Sequence, residues 1–290
     1  MAGTKTLAGV IALALACGCA KGPRPIVVGS KNFTEQLVLG EIMAQQLERK
    51  LGQKVERRLN LGGTLLAHQA LISGELDVYP EYTGTALTAI LRLPPSSDAK
   101  RVLDQVRAEY EKRWKIEWLA PFGFNNSFAM VVRGDDARQA GLHSISDAAR
   151  SRKDWAMGAG YEFVERPDGF HGLVQAYGLG IAGQIETMDL GLLYQALEQR
   201  KVDMIAASAT DGMISVLDVT VLQDDRHYFP PYEAAPLVRA EALAAHPGMR
   251  QALEALAGRL TDQEMQKLNY ELDGKHRPLA DVAREFLEQK

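Results

Sequence analysis

The sequence has very little cysteine, and all of it lies near one end of the chain. Cys17 and Cys19 fall within the first twenty of 290 residues. The rest of the chain therefore cannot form an internal disulfide, and it offers neither a thiol nucleophile nor cysteine ligands for zinc. Any chemistry carried by residues 20–290 must come from other side chains.

An excess of basic residues is also absent. Lysine and arginine number 33 against 37 aspartate and glutamate, which gives a formal net charge of −4 and a pI near 5.9. Such a chain has no surplus of cations to neutralise a phosphate backbone, so nucleic acid is not expected as a partner. The composition, 46% hydrophobic and 24% charged, excludes intrinsic disorder and favours one large domain or two lobes of ordinary size.

The common catalytic and phosphate-binding motifs are missing. The sequence has no Gly-x-Ser-x-Gly elbow, no His-Glu-x-x-His helix and no phosphate loop, and its six histidines lack metal-ligand spacing. We therefore predict no catalytic residues, no metal site and no cofactor, and we predict that the protein is not an enzyme. A secreted enzyme on a two-lobe scaffold is the alternative from another functional class.

The longest apolar run follows a single lysine at the N-terminus. Residues 7–16 are too few for the ~20 that a membrane-spanning helix needs, and they suit the core of a secretory signal peptide. Small residues before each cysteine are similar to a bacterial lipobox. We predict a lipoprotein signal peptide over 1–19, acylation of Cys17 or Cys19, and a tether over 20–25. The protein would then be exported and lipid-anchored on the periplasmic or outer face of a membrane; secretion without acylation is the alternative.

From Ile26 onward, short β-rich runs alternate with helical patterns. Residues 26–29 predict a strand, and apolar residues at helical spacing over 34–51 predict the helix that follows it. A second series of this kind begins near residue 144, and a helix-rich tail follows the last strand signal at 237–238. Repeated βα units favour mostly parallel sheets flanked by helices. We predict an α/β protein whose tail returns to complete its first lobe.

Five spaced motifs carry a resemblance to a known family. They stand at 29–36, 74–85, 210–212, 229–236 and 268–270, and they read GSKNFTEQ, GELDVYPEYTGT, TDG, FPPYEAAP and LNY. Together they resemble the substrate-binding proteins of osmoprotectant ABC importers, the receptors for glycine betaine, choline and carnitine. The resemblance covers nearly all of the chain after the tether.

The resemblance implies a two-lobe periplasmic-binding-protein-like fold of type II, whose lobes close on a ligand about two hinge crossings. Lobe 1 is expected over 26–126 plus 232–290, and lobe 2 over 127–231. The implied function is an extracytoplasmic receptor that delivers a quaternary-ammonium compatible solute to the permease and ATPase subunits of an ABC importer. The receptor is expected to be a monomer. A sensor or adhesion subunit that uses the same two-lobe closure is an alternative.

Related receptors hold the quaternary ammonium group in a cage of aromatic rings. A trimethylammonium has no N–H to donate, so ring faces are its natural partners, each worth ~0.5–2 kcal/mol when desolvated. Carried over by motif, the resemblance implies ring contacts from Phe33, Tyr82, Phe128 and Tyr194. The alternatives are that Phe33 staples the following helix, Tyr82 packs its turn onto the lobe, and Tyr194 is a core residue.

The other end of a zwitterionic ligand needs hydrogen-bond donors. Arg166 is the strongest candidate, because a guanidinium binds a carboxylate through two parallel hydrogen bonds. Its alternative is an ion pair with Asp168 or Glu165. Asp211 is expected to orient Thr210 or the turn that follows it. The neutral candidate donors, all at loops or helix starts, are Asn32, Thr83 and Thr210.

Two positions depart from the pattern of related receptors. Ser208 stands two residues before Thr210, where choline and carnitine receptors have an aromatic residue. The missing ring leaves room for another methylated zwitterion such as ergothioneine, or for an amino-acid-like solute. Glu81 replaces an arginine that some relatives have, and we expect it to be a solvated turn residue rather than a contact to a cation. Lys31 is likewise expected to be exposed.

Overall fold

The computed structural model describes residues 24–151 and 154–289. The predicted signal peptide, with Cys17 and Cys19, lies outside these residues. Within the described part of the chain the strands form two five-stranded sheets, and helices pack against both.

The first sheet takes its strands from both ends of the chain. Its order is β2-β1-β3-β10-β4. The strands are β1 (Val27–Gly29), β2 (Glu56–Arg58), β3 (Val78–Tyr82), β4 (Ile116–Trp118) and β10 (Ala234–Arg239).

The second sheet takes its strands from the middle of the chain. Its order is β7-β6-β8-β5-β9. The strands are β5 (Phe128–Arg133), β6 (Met157–Ala159), β7 (Glu186–Thr187), β8 (Met204–Ser208) and β9 (Val219–Leu222).

In each sheet four of the five strands share one direction. The exceptions are β10, antiparallel to β3 and β4, and β5, antiparallel to β8 and β9. Both are the first strands after the chain crosses from the other sheet, so each starts at the crossing and runs away from it. The predicted bias towards parallel strands is therefore confirmed, with one reversed strand per sheet imposed by the crossings.

Thirteen α-helical segments are present in the described ranges. They are α1 (Thr34–Leu51), α2 (Thr64–Ser73), α3 (Thr83–Thr85), α4 (Ala99–Trp114), α5 (Gly134–Ala140), α6 (Ile145–Arg150), α7 (Tyr161–Glu165), α8 (Phe170–Tyr177), α9 (Leu193–Glu198), α10 (Ala240–Ala245), α11 (Met249–Glu254), α12 (Asp262–Asp273) and α13 (Leu279–Glu288). A π-helical turn (Ala86–Ile90) follows α3, and two 3₁₀ turns lie at Leu190–Leu192 and Gly212–Ser215. None of the described helices combines the length and apolar character needed to cross a membrane.

We call the first sheet with α1–α4 and α10–α13 lobe 1, and the second sheet with α5–α9 lobe 2. The described chain passes between the sheets twice, after β4 and after β9, and the crossings pair side by side through a bridge between Asn125 and Glu233. The predicted α/β two-lobe fold is confirmed. The predicted division at 126/127 and 231/232 falls in these crossings and stays a prediction.

Candidate ligand-binding cleft

The candidate site lies where loops that follow the carboxyl ends of strands in one lobe meet those of the other. Glu35 of lobe 1 accepts a hydrogen bond from Thr210 of lobe 2, and Arg166 of lobe 2 donates to Thr85 of lobe 1. This edge of an α/β sheet is where such folds place ligands. Three of these four residues, Glu35, Thr85 and Thr210, lie inside the sequence motifs.

Two predicted cage rings lie together in lobe 1. Tyr82 ends β3 and Phe33 immediately precedes α1, and their rings stack with centroids 6.2 Å apart and an interplanar angle of 21°. The Lys31 ammonium lies 4.8 Å from the centroid of the Tyr82 ring and 6.0 Å from that of Phe33. The structure thus brings these rings together and shows a cation on them, supplied by the protein itself.

The expected exposure of Lys31 and Glu81 is wrong. Lys31 is 3% exposed and Glu81 fully buried, and Lys31 Nζ lies 2.6 Å from Glu81 Oε1. The Glu81 carboxylate also accepts hydrogen bonds from the Tyr79 hydroxyl at 2.9 Å and the Tyr82 amide at 2.8 Å. Every residue of β3 is buried, so a carboxylate there needs partners, and these three groups compensate its charge.

Glu35, which the sequence analysis did not single out, is the centre of a buried network. Its carboxylate accepts hydrogen bonds from Tyr82 at 2.7 Å, Asn126 at 2.8 Å, Asn269 at 3.3 Å and the Thr210 hydroxyl. The donors belong to β3, the first crossing, α12 and the loop after β8. Burial raises the pKa of Glu35, and these donors act in the opposite direction. One carboxylate thus joins both lobes and a crossing.

A second group of rings lies between the lobes. Phe128 has its ring centroid 4.8 Å from Phe163, 5.6 Å from Phe229 and 5.7 Å from Tyr232. The Arg166 guanidinium carbon lies 5.3 Å from the Phe128 centroid and 5.6 Å from that of Tyr232. Here too, aromatic faces of the cleft meet a cationic side chain.

The alternative interpretation of Arg166, an ion pair with Asp168, is what the structure shows. The guanidinium donates to both Asp168 oxygens, at 2.9 and 2.6 Å, and both residues are buried. It also donates to Thr85 at 3.0 Å and Thr88 at 3.3 Å across the lobe boundary. The contact of Arg166 with a ligand carboxylate stays a prediction.

The other predicted polar residues have different surroundings. Asn32 is exposed, and the Thr83 hydroxyl donates to the Pro231 carbonyl at 3.0 Å, which joins the start of α3 to the second crossing. Asp211 accepts the Met213 amide at 3.1 Å and so caps the 3₁₀ turn at Gly212–Ser215, one of the two expected roles. The structure gathers Thr210 into the Glu35 network but leaves Asn32 on the surface.

Tyr194 lies apart from both ring groups. Its ring is buried in a separate core cluster of lobe 2 with Leu193 and Ile205. This is the surrounding expected of a core tyrosine, the alternative interpretation. Burial, followed by the charge of Asp211, raises the pKa of its phenol.

The raised pKa of Asp211 can be tested by measuring how the stability of the protein changes with pH. Burial raises its pKa to about 7 from an ordinary value of 3.8. The folded state therefore binds the proton more tightly than the unfolded state, and the stability contributed by protonation is lost as the pH rises from about 4 to 7. Asp211→Asn keeps an acceptor for the Met213 amide without the charge. We expect it to be ~1–3 kcal/mol more stable than the wild type at pH 8 and nearly equal at pH 4.

Urea denaturation across this pH range measures the difference. Asp218→Asn is the matched control, because Asp218 belongs to the same lobe, is exposed, and has its pKa lowered by Arg138. The control should keep the wild-type loss of stability between pH 4 and 7. A difference between Asp211→Asn and the wild type that does not change with pH would contradict the assignment.

Sequence reasoning missed the residues whose roles depend on a partner from elsewhere in the chain. Glu35 and Asn269 stand inside the motifs at 29–36 and 268–270, which is the one signal that could have selected them. Asp168 was considered only as a partner of Arg166. Asn126 has no local signal, since its function arises where the first crossing passes Glu35.

Comparison with known proteins gives the family. The family described as the substrate binding domain of ABC-type glycine betaine transport system matches residues 24–289. The carnitine transport binding protein OpuCC of Listeria monocytogenes is 34% identical over 266 residues, which cover 91% of this chain and 86% of that protein. The ergothioneine transport permease/ergothioneine binding protein EgtU of Helicobacter pylori is 35% identical over 267 residues, 92% of this chain, and this chain spans 48% of its length.

A solved structure extends the similarity to three dimensions. The crystal structure of a glycine betaine/carnitine/choline ABC transporter has a TM-score of 0.77 and 32% identity, and the match covers 91% of this chain and 98% of that one. The family match and these similarities all extend over nearly the whole described chain. The chain therefore belongs to the family of substrate-binding domains of ABC-type glycine betaine transport systems.

Proposed function

We propose that this protein is an extracytoplasmic receptor that delivers a quaternary-ammonium compatible solute, such as glycine betaine, choline or carnitine, to an ABC importer. The observation that carries the proposal is the pairing of aromatic faces with cations at two places in the cleft. Lys31 lies on Tyr82 and Phe33, and Arg166 lies on Phe128 and Tyr232. Surfaces that hold these cations have the electrostatic character that a methylated ammonium requires.

The candidate ligand contacts differ in how well their surroundings support them. Phe33, Tyr82 and Phe128 offer rings at the cleft, and Arg166 offers the guanidinium for a carboxylate. Tyr194 has less support because, among the described residues, its ring contacts neither ring group. Thr83 is bonded to the second crossing and Asn32 is exposed, so they too have less support. The same arrangement supports binding by closure of the lobes rather than catalysis.

The wider setting is part of the proposal. We infer that the receptor works with permease and ATPase subunits, as a monomer, and that a lipid on Cys17 or Cys19 anchors it to the membrane after export. The family match and the similarity to transport binding proteins support the pairing with a transporter. The short apolar leader and the small residues before each cysteine support the anchor.

A second candidate ligand is another methylated zwitterion such as ergothioneine. The specific observation is the position of Ser208, which pairs directly with Phe128 between β8 and β5. Side chains opposite each other in an antiparallel pair are neighbours, so the missing aromatic would have adjoined the second ring group. The small hydroxyl leaves space beside Phe128 for a ligand larger than glycine betaine. The similarity to a relative named for ergothioneine points the same way.

A calorimetric panel distinguishes these ligands. Glycine betaine, choline, carnitine, proline betaine and ergothioneine are titrated in turn into the exported form of the protein. We expect at least one to bind, with the largest affinity marking the physiological class. If none binds while an ordinary amino acid or an anion does, the proposed function is wrong.

Removing the Tyr82 ring should weaken binding of the ligand found in this panel. Tyr82→Ala loses both the ring area and the cation–π attraction, together ~1–3 kcal/mol, which is roughly a 5- to 150-fold loss of affinity. Tyr82→Phe is the control, since it keeps the ring and removes only the hydroxyl that donates to Glu35. Calorimetry on the folded variants should show the alanine variant far weaker than the phenylalanine variant. Equal losses would mean that the hydroxyl, not the ring face, matters to the ligand.

A further inference from the structure

A carboxylate of lobe 2 caps a helix of lobe 1. Helix α2 begins at Thr64, and the capping position before it is Gly63, which has no side chain to accept the free amides of the first turn. Glu162, near the start of α7, takes that place. Its Oε1 accepts the Thr64 amide at 2.6 Å, and its Oε2 accepts the Thr64 hydroxyl at 3.1 Å. A negative group at a helix N-terminus is favourable, so this contact holds the two lobes together.

The space around the Gly63 α-carbon is restricted only by the Glu162 side chain. A methyl group on Gly63 would lie 2.1 Å from Glu162 Oε1 and 3.1 Å from its carboxyl carbon. The backbone at Gly63, with φ −76° and ψ −175°, is ordinary for any residue. Lobe 1 alone therefore tolerates alanine at this position, whereas in the closed protein an added methyl group would displace the flexible end of the Glu162 side chain from Thr64.

The same contact is connected to the ring of Tyr82. The Thr64 hydroxyl that donates to Glu162 also accepts a hydrogen bond from Lys31 Nζ at 3.3 Å. Lys31 is the cation that lies on Tyr82 and pairs with Glu81. A side-chain path thus runs from the candidate cage, through Lys31 and Thr64, to the carboxylate that joins the lobes.

We propose that Glu162, with Gly63 and Thr64, forms an interlobe latch that sets how firmly the closed cleft holds its solute. The proposal rests on the proposed function, in that it assumes binding by closure. Glu162 is a positioning residue: it acts on α2 and on the lobe boundary, not on the ligand. Glu162 and Glu165 are both exposed residues of this short helix, and only Glu162 accepts the two hydrogen bonds from Thr64.

The test uses a double-mutant cycle with two kinds of measurement. Glu162→Ala, Gly63→Ala, the double variant and the control Glu165→Ala are each titrated with glycine betaine, carnitine, choline and ergothioneine. Their radii of gyration without ligand are measured by small-angle scattering. We expect Glu162→Ala and Gly63→Ala each to weaken a bound probe about 10-fold, which corresponds to ~1.4 kcal/mol and is of the size of one charge-assisted hydrogen bond. Both should also enlarge the ligand-free protein, while Glu165→Ala resembles the wild type.

The double variant provides the decisive comparison. Because Gly63→Ala acts through a clash with the Glu162 carboxylate, the double variant should bind no more weakly than Glu162→Ala alone. Additive losses, or a Glu162→Ala variant within twofold of the wild type for a probe that binds, overturn the latch and leave the proposed function standing. If no probe binds but the radii change as expected, the latch stands and the proposed function fails. If no probe binds and the radii are unchanged, both are wrong.

Discussion

Replacing Glu35 by alanine is expected to lower the free energy of unfolding by about 3–5 kcal/mol, because three buried donors and the half-buried Asn126 lose their common acceptor. Tyr82, Asn126, Thr210 and Asn269 all donate to this carboxylate. Water cannot easily replace it, since Glu35 is 3% exposed. The amide oxygens of Asn126 and Asn269 already lack hydrogen-bond partners. The Asn126 side chain would therefore lose its bond to Glu35 without a substitute, and Asn269 would keep only its bond to the Thr210 carbonyl.

Chemical denaturation of the ligand-free protein measures this loss. Glu48→Ala is the matched control, because Glu48 lies on the same helix and its carboxylate is partly exposed and paired with Arg57. Glu48 binds Arg57 through both oxygens and accepts the Val55 amide, so its loss should cost about 1–2 kcal/mol, well below the loss expected for Glu35→Ala. If the two variants lose similar amounts, the Glu35 network does not hold the lobes together as the structure indicates.

Replacing Arg166 by methionine is the second change with a large expected effect. Methionine keeps an apolar side chain beside the rings but leaves the buried Asp168 carboxylate without its cation. Breaking a buried pair in this way costs about 3–5 kcal/mol of stability, most of it from the uncompensated charge. Arg166→Met/Asp168→Asn should therefore recover more than half of the loss. Denaturation midpoints of the two variants and the wild type test this directly.

The same pair of variants separates the two interpretations of Arg166. The single variant should bind glycine betaine and carnitine much more weakly relative to choline, which has no carboxylate. A direct contact between Arg166 and the ligand carboxylate predicts that this change of selectivity persists in the double variant. If selectivity returns when Asp168 is also neutralised, Arg166 acts only by compensating Asp168, and the predicted ligand contact is wrong.

The elements of the fold could be predicted well where the signal is local. The helix expected over 34–51 is observed over those residues as α1, and the second series expected near residue 144 begins with a capping box of Ser144 and Asp147. The ends of strands are harder to predict. The alternation of apolar and polar residues over 54–61 is typical of a long strand, but only Glu56–Arg58 pairs with β1. Hydrophobic periodicity indicates which faces of an element are buried, whereas the ends of a strand depend on how far the neighbouring strand pairs with it.

The candidate site could be predicted only in part. Phe33 and Tyr82 stand inside the motifs at 29–36 and 74–85, so the family resemblance was enough to select them. The expected exposure of Lys31 and Glu81 is wrong, because the ion pair between them compensates both charges and so permits their burial. Compensation between charges fifty residues apart has no signature in either segment alone.

The reversed strand β10 has a consequence for the order in which the protein acquires its structure. β4 pairs with β10 and with no other strand of the described sheet, and Tyr82 of β3 pairs with Ala234 across about 150 residues of sequence. The lobe 2 sheet, by contrast, draws all its strands from the continuous stretch 128–222. Contacts that close a long loop form late, so a chain emerging from its amino end can complete the middle lobe first. Lobe 1, which contains the first strands of the chain, is then completed last, because its sheet requires residues 234–239.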